Sequence, residues 1–98
     1  PLILATQIGF SDGADLLLKR GAQVDGANSG GETPLILAVQ QRDVAMVRLL
    51  LAAGANPKRS DRTAGMSALD YATRDPRAAV ILKLLQEAKP AKAAAGPV

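Results

Sequence analysis

Residues 1–5 read PLILA, and the same five letters return at residues 34–38. The interval is 33 residues, and it governs more than that string. Leu16-Leu17-Leu18 recurs as Leu49-Leu50-Leu51, and Gly21-Ala22 recurs as Gly54-Ala55. A weaker third copy follows, with SALDYA at 67–72 and LKLLQEAK at 82–89. A fixed period of this size marks a structural unit that buries its apolar face only by stacking on its neighbours. The chain is therefore expected to be an all-α repeat solenoid of about three units.

Each unit reads as a helix, a turn, a second helix and a hairpin-like finger. In the middle copy Thr33 is a good N-cap, and Pro34 suits the first helical position, where its missing N–H goes unused. The first helix should run to about Gln41. Asp43 can cap a second helix in which Val44, Val47, Leu50 and Leu51 recur at helical spacing while Arg48 points to water. Gly54 should end it in the left-handed conformation. The segments AQVDGANSGG and ANPKRSDRTAG then carry the turn formers Gly, Asn, Asp and Ser. They read as fingers with little regular strand. The lower finger has one more residue between its bounding glycines, so its tip should differ in shape.

The third copy changes in character. Ala68 replaces the proline, Asp75-Pro76 restarts the second helix after a turn one residue longer, and LLL becomes LLQ with Lys83, Glu87 and Lys89 nearby. A stacked array needs a terminal unit with a polar outer face. We therefore divide residues 1–89 into units of about 1–30, 31–64 and 65–89, the last a C-terminal cap. Residues 90–98 have no apolar face and read as a disordered tail. The first unit lacks the capping Thr, and Leu2, Leu4 and Leu17 should have an unprotected side. Further repeats upstream, fraying, or self-association through this uncapped repeat would each answer that.

Composition narrows the chemistry. Nearly half the residues are apolar, yet there is one Phe, one Tyr and no Trp, which suits thin aliphatic layers. The absence of Cys excludes disulfides and thiolate metal sites. The absence of His removes the commonest general base and metal ligand. Ser11, Ser29, Ser60 and Ser67 consequently have no imidazole partner for nucleophilic catalysis. Asp70 and Asp75 fit a helix face and an N-cap better than a paired-carboxylate site. ANSGGET lacks the strand and the Lys of a phosphate cradle. No apolar run approaches the roughly 20 residues that span a bilayer, so no membrane partner is expected. The net charge of +3 comes from dispersed Arg and Lys, and no aromatic residues interleave them for base stacking, so no nucleic acid is expected either. Lys58, Arg59 and Arg62 form the one basic group, suited to steering an acidic partner.

The segment GETPLILAVQQRDVAMVRLLLAAGANP resembles an ankyrin repeat, whose pattern is G-x-T-P-L-H-x-A, two helices, then L-L-x-x-G-A. Gly31, Thr33, Pro34, Leu35, Ala38, Leu49, Leu50, Gly54 and Ala55 match it. The likeness covers residues 1–89 as three units, and the Ile of PLILA and the Ala/Lys/Pro tail are similar to bacterial members. Ile3, Ile36 and Asp70 stand where the family has a His that hydrogen-bonds the neighbouring finger, so the pattern does not secure finger rigidity. Arg42-Asp43 replaces a common Gly-His in the inter-helix turn.

The resemblance implies stacked helix pairs with fingers projecting at about a right angle, and a concave side that binds other proteins, with no catalysis and no cofactor. By position in the repeat, that partner-binding surface would be Glu32, Gln40, Gln41, Arg62, Met66 and Arg74. Lys58 and Arg59 would form a secondary basic rim. Ser29, Thr63 and Asp75 lie beside these positions, and Gln7 and Ile8 are counterparts in the first unit. A structural cap or tether of a longer array, with no partner of its own, is the alternative role.

Overall fold

A computed structural model describes residues 2–88. Three helix pairs follow one another along the chain: α1 (Leu2–Gln7) with α2 (Ser11–Lys19), α3 (Pro34–Gln40) with α4 (Val44–Ala52), and α5 (Ala68–Arg74) with α6 (Ala79–Glu87). First helices stack on first helices, α1 on α3 on α5, and second helices on second helices, α2 on α4 on α6. The fold is the expected helical repeat. Two fingers, residues 20–32 and 53–66, connect the pairs. Among the described residues they contain no strand, only one antiparallel bridge between Ser60 and Ser67.

The helix boundaries follow from local chemistry. Thr33 Oγ1 accepts from the Ile36 N–H at 3.2 Å, and Asp43 Oδ1 accepts from the Met46 N–H at 3.1 Å. Each satisfies a donor that the first helical turn leaves open. Ser67 and Asp70 form a reciprocal capping box: Ser67 Oγ accepts from the Asp70 N–H, and Asp70 Oδ2 accepts from the Ser67 N–H. Gly21 and Gly54 end α2 and α4 with the same φ of 94°. The next N–H, of Ala22 or Ala55, returns to the Leu17 or Leu50 carbonyl at 3.0 Å.

Two expectations are corrected here. Asp75 does not start α6. Its Oδ1 accepts from the Arg77 N–H at 2.9 Å, which tightens Pro76–Ala78 into a 3-10 turn before α6 begins at Ala79. Nor do Leu2, Leu4 and Leu17 share one bare side. Leu2 is buried in the core and Leu17 packs against it, while Leu4 stays 60% exposed. The expected tail, with Lys89, lies outside the described residues.

The core is thickest in the middle unit. Leu35, Ile36, Ala38, Val39, Met46, Val47 and Leu50 are essentially free of solvent because a helix pair covers both of their sides. Ile36 thus packs where a polar residue was the family pattern, and the fingers must be held in another way.

Candidate functional site

One side chain organises each finger. In the first, Asn28 Oδ1 accepts from the Gly30 and Glu32 N–H groups, both at 3.0 Å, while Asn28 Nδ2 donates to Glu32 Oε1 at 3.0 Å. In the second, the equivalent residue is Asp61, whose Oδ1 accepts from Ala64 at 3.0 Å and Met66 at 3.2 Å. The donors thus move from the second and fourth residues onward to the third and fifth. This is where the additional residue of the lower finger is absorbed, and it gives that tip its different shape.

The two fingers are joined to each other. The Arg62 N–H donates to the Gly30 carbonyl and its guanidinium to the Ser29 carbonyl, both at 2.9 Å, and the Thr63 hydroxyl adds a longer bond to Gly30 at 3.4 Å. At the base, the Asn56 N–H donates to Asp25 Oδ1 at 3.1 Å. Gly31 is obligatory at this junction. It has φ of 79°, and a Cβ there would lie 2.8 Å from the Arg62 nitrogen.

Tyr71 ties the second finger to the first-helix layer. Its hydroxyl donates to Asp61 Oδ2 at 2.5 Å. That bond, with partial burial and the negative charges of Asp61 and Glu32, pushes the phenol up to about 12, while the Gln40 amide acts in the opposite sense. The same bond holds the Asp61 carboxyl below its ordinary range, helped by backbone N–H groups and opposed by burial.

The residues expected at the site divide into two kinds. Gln40, Gln41, Arg62 and Arg74 are exposed, and Met66 is partly buried with the Arg74 guanidinium 3.2 Å from its sulfur. Glu32 is half-buried and occupied with Asn28, so it shapes the finger. Lys58 and Arg59 are exposed on the second finger. Gln7 and Ile8 are exposed at the end of α1. Tyr71 and Asp61 join this group although sequence reasoning passed over them. Their signals were present: Tyr71 is the only tyrosine, and Asp61 lies 33 residues beyond Asn28.

Charge is distributed unevenly here. Asp61, Asp70 and Asp75 each accept hydrogen bonds from the chain, and Glu32 accepts from Asn28. Asp75 also pairs with Arg42 at 3.0 Å, and the Arg77 N–H and the Arg42 side chain both hold its carboxyl below the usual range. Among the described residues, no carboxylate lies within ion-pair distance of Lys58, Arg59, Arg62 or Arg74. Among them, too, there is no cluster that could hold a metal ion, and no helix is long and apolar enough to cross a membrane.

Residues 2–94 match the family model for ankyrin repeats in three copies. The chain is 45% identical over 71 residues to an ankyrin repeat-containing protein of Treponema pallidum, covering 72% of this chain and 24% of that protein. It is 43% identical over 70 residues to human ankyrin repeat and KH domain-containing protein 1, covering 71% and 3% respectively. It is 40% identical over 73 residues to the mouse B-cell lymphoma 3 protein homolog, covering 74% and 16%. The chain therefore spans a quarter or less of the length of each of these relatives.

Proposed function

Since the chain belongs to the ankyrin repeat family, whose repeats generally serve as protein–protein interaction modules, we propose that it binds another protein on the side formed by its fingers and first helices. The observation that carries this reading is the joining of that side into one surface. Arg62 straps one finger to the next, and Tyr71 fixes the second finger on α5. Gln40, Gln41, Arg62, Met66 and Arg74 are thereby presented from neighbouring repeats with little ordering left to do on binding. Asp61, Asp70, Asp75 and Glu32 are already hydrogen-bonded within the chain, whereas Arg62 and Arg74 have no carboxylate partner among the described residues, which suits a partner segment bearing acidic groups, with Lys58 and Arg59 adding attraction from the rim.

A displayed library of random peptides, selected on the chain, tests this. Acidic binders are expected, and a Gln40→Glu, Arg62→Glu, Arg74→Glu variant of equal helicity should lose them while Arg48→Glu, on α4, keeps them. Binders that survive the triple change would remove the surface from consideration.

Two further readings rest on the ends of the stack. Leu18 lines the seam with α4, Leu51 lines the seam with α6, and the exposed Gln86 follows at the next equivalent position. A polar residue there supports a terminal, capping role for the third unit. The opposite end is apolar and supports contact between copies of the chain.

A further inference from the structure

The chain has two methionines and neither Cys nor Trp, so the two thioethers are the side chains that a peroxide attacks most readily. The fold treats them in opposite ways. Met46 is fully buried in α4. Met66 is partly exposed and stands just before Ser67, the N-cap of α5. Asp61 anchors its main chain on both sides: the Met66 N–H donates to Asp61 Oδ1 at 3.2 Å, and the Met66 carbonyl accepts from the Asp61 N–H at 3.0 Å. Arg74 is the last residue of α5, a helix about 10 Å long, yet its guanidinium lies back along that helix and donates to Met66 Sδ at 3.2 Å, in a contact open to solvent. One repeat earlier the same two places, before the N-cap and at the last helical residue, belong to Glu32 and Gln40. A carboxylate at position 66 would pair with Arg74 permanently. A thioether is a weak acceptor, so it positions the guanidinium and leaves it available to another anion.

We propose that Met66 is a site of reversible oxidation, and that its sulfoxide withdraws Arg74 from the surface offered to acidic groups. The oxidant is a hydroperoxide. The sulfur attacks its outer oxygen, an S–O bond forms as the O–O bond breaks, and the leaving oxygen takes up a proton to depart as water or an alcohol. Sulfur gives up two electrons and the peroxide gains them. The new oxygen carries partial negative charge at the place the guanidinium already occupies. It turns a weak N–H to sulfur contact into a charge-assisted hydrogen bond. Among the described residues Arg74 has no carboxylate within ion-pair distance, so no ion pair of its own competes for it. Because Asp61 holds the Met66 main chain, the finger stays on α5 while the side chain changes character. Methionine sulfoxide reductases restore the thioether. The effect on binding rests on the acidic-partner reading above, whereas the selective oxidation and the capture of Arg74 stand apart from it.

Three readouts on the folded chain test this. Under limiting hydrogen peroxide, peptide mass mapping should find Met66 oxidised at least about tenfold faster than Met46, which must wait for the fold to open. Comparable rates would overturn Met66 as the site. Phenylglyoxal labelling then reports each guanidinium: oxidation should slow the labelling of Arg74 by about threefold or more and leave Arg48 unchanged. Met66→Gln, a lasting polar acceptor, should slow Arg74 without peroxide, and Met66→Leu should remove the response. Unchanged Arg74 reactivity in the oxidised chain would overturn the capture. Finally, a labelled oligoglutamate peptide should bind the oxidised chain about three- to fivefold more weakly, the worth of one exposed ion pair. Reductase treatment should restore that affinity, and Met66→Leu should show no loss. Equal binding of both forms would overturn the control of the surface. A peptide that binds neither form would instead remove the acidic-partner reading, and the labelling of Arg74 would still decide the capture.

Discussion

Tyr71 and Asp61 share a hydrogen bond of 2.5 Å, and the other oxygen of the same carboxylate gathers the N–H groups of Ala64 and Met66. One carboxylate thus shapes the second finger and fixes it to α5. Tyr71→Phe leaves Asp61 Oδ2 without its phenolic donor while changing little in volume. It should lower the thermal midpoint, and amide hydrogen exchange should rise at Ala64 and Met66 more than in α3. Equal exchange throughout would show that the finger stands without the phenol.

The same bond makes stability depend on alkaline pH. The phenol titrates at about 12 in the folded chain, against an ordinary value of 10.0. The folded state therefore holds this proton more tightly than the unfolded state. Its contribution is complete below about pH 10 and is lost as pH rises toward 12. With one tyrosine and no tryptophan in the chain, ultraviolet difference absorbance follows this titration directly. A phenol ionising at its ordinary value would contradict the Asp61 contact.

Gly21 and Gly31 both have positive φ, yet their surroundings differ. A Cβ on Gly21 meets nothing within 4 Å, whereas one on Gly31 meets the Arg62 backbone. Gly21→Ala should cost only the left-handed penalty of about 1–2 kcal/mol. Gly31→Ala should cost more, because it also parts the two finger tips. Urea unfolding of the two variants compares them, and equal losses would mean that the tips are not tightly apposed.

Phe10 and Asp43 occupy equivalent N-cap positions with nearly the same backbone, φ −87° and ψ 81° against φ −88° and ψ 89°. Only Asp43 accepts a helical N–H. Phe10→Asp should therefore supply the missing cap and raise the stability of the monomer by about 1 kcal/mol, read by urea unfolding of dilute protein.

Burial separates two apolar truncations on second helices. Leu50 is fully buried and Val80 is 61% exposed. Leu50→Ala should cost about 2–5 kcal/mol, and Val80→Ala no more than about 0.5 kcal/mol. Chemical denaturation measures both.

The helical frame was legible because its signals are local. Thr33, Asp43 and Gly54 act through hydrogen bonds spanning a few residues, so their roles could be read from their neighbours. Asp75 misled because an aspartate before proline caps a 3-10 turn as readily as an α-helix, and the sequence looks alike in both. Leu2 misled because helical phase at a six-residue helix depends on what stacks against it. The site was legible as a set of repeat positions, but the bonds within it were not. Tyr71 meets Asp61 across 10 residues, and Arg62 meets Ser29 across 33. The 33-residue period sets Arg62 one repeat beyond Ser29, but it does not say which atoms of neighbouring fingers meet. Only the stacked arrangement brings these groups together.

The additional residue in the second finger is taken up entirely by a change in which N–H groups one side chain receives. The helices on either side keep their lengths, seven residues for α3 and α5 and nine for α4 and α6. Reach and spine are thus separately adjustable in this architecture. An insertion between Gly54 and Gly65 can reshape the rim that we propose as a partner surface without disturbing the step from one repeat to the next, so recognition there would diversify by loop length while the stacking frame stays unchanged.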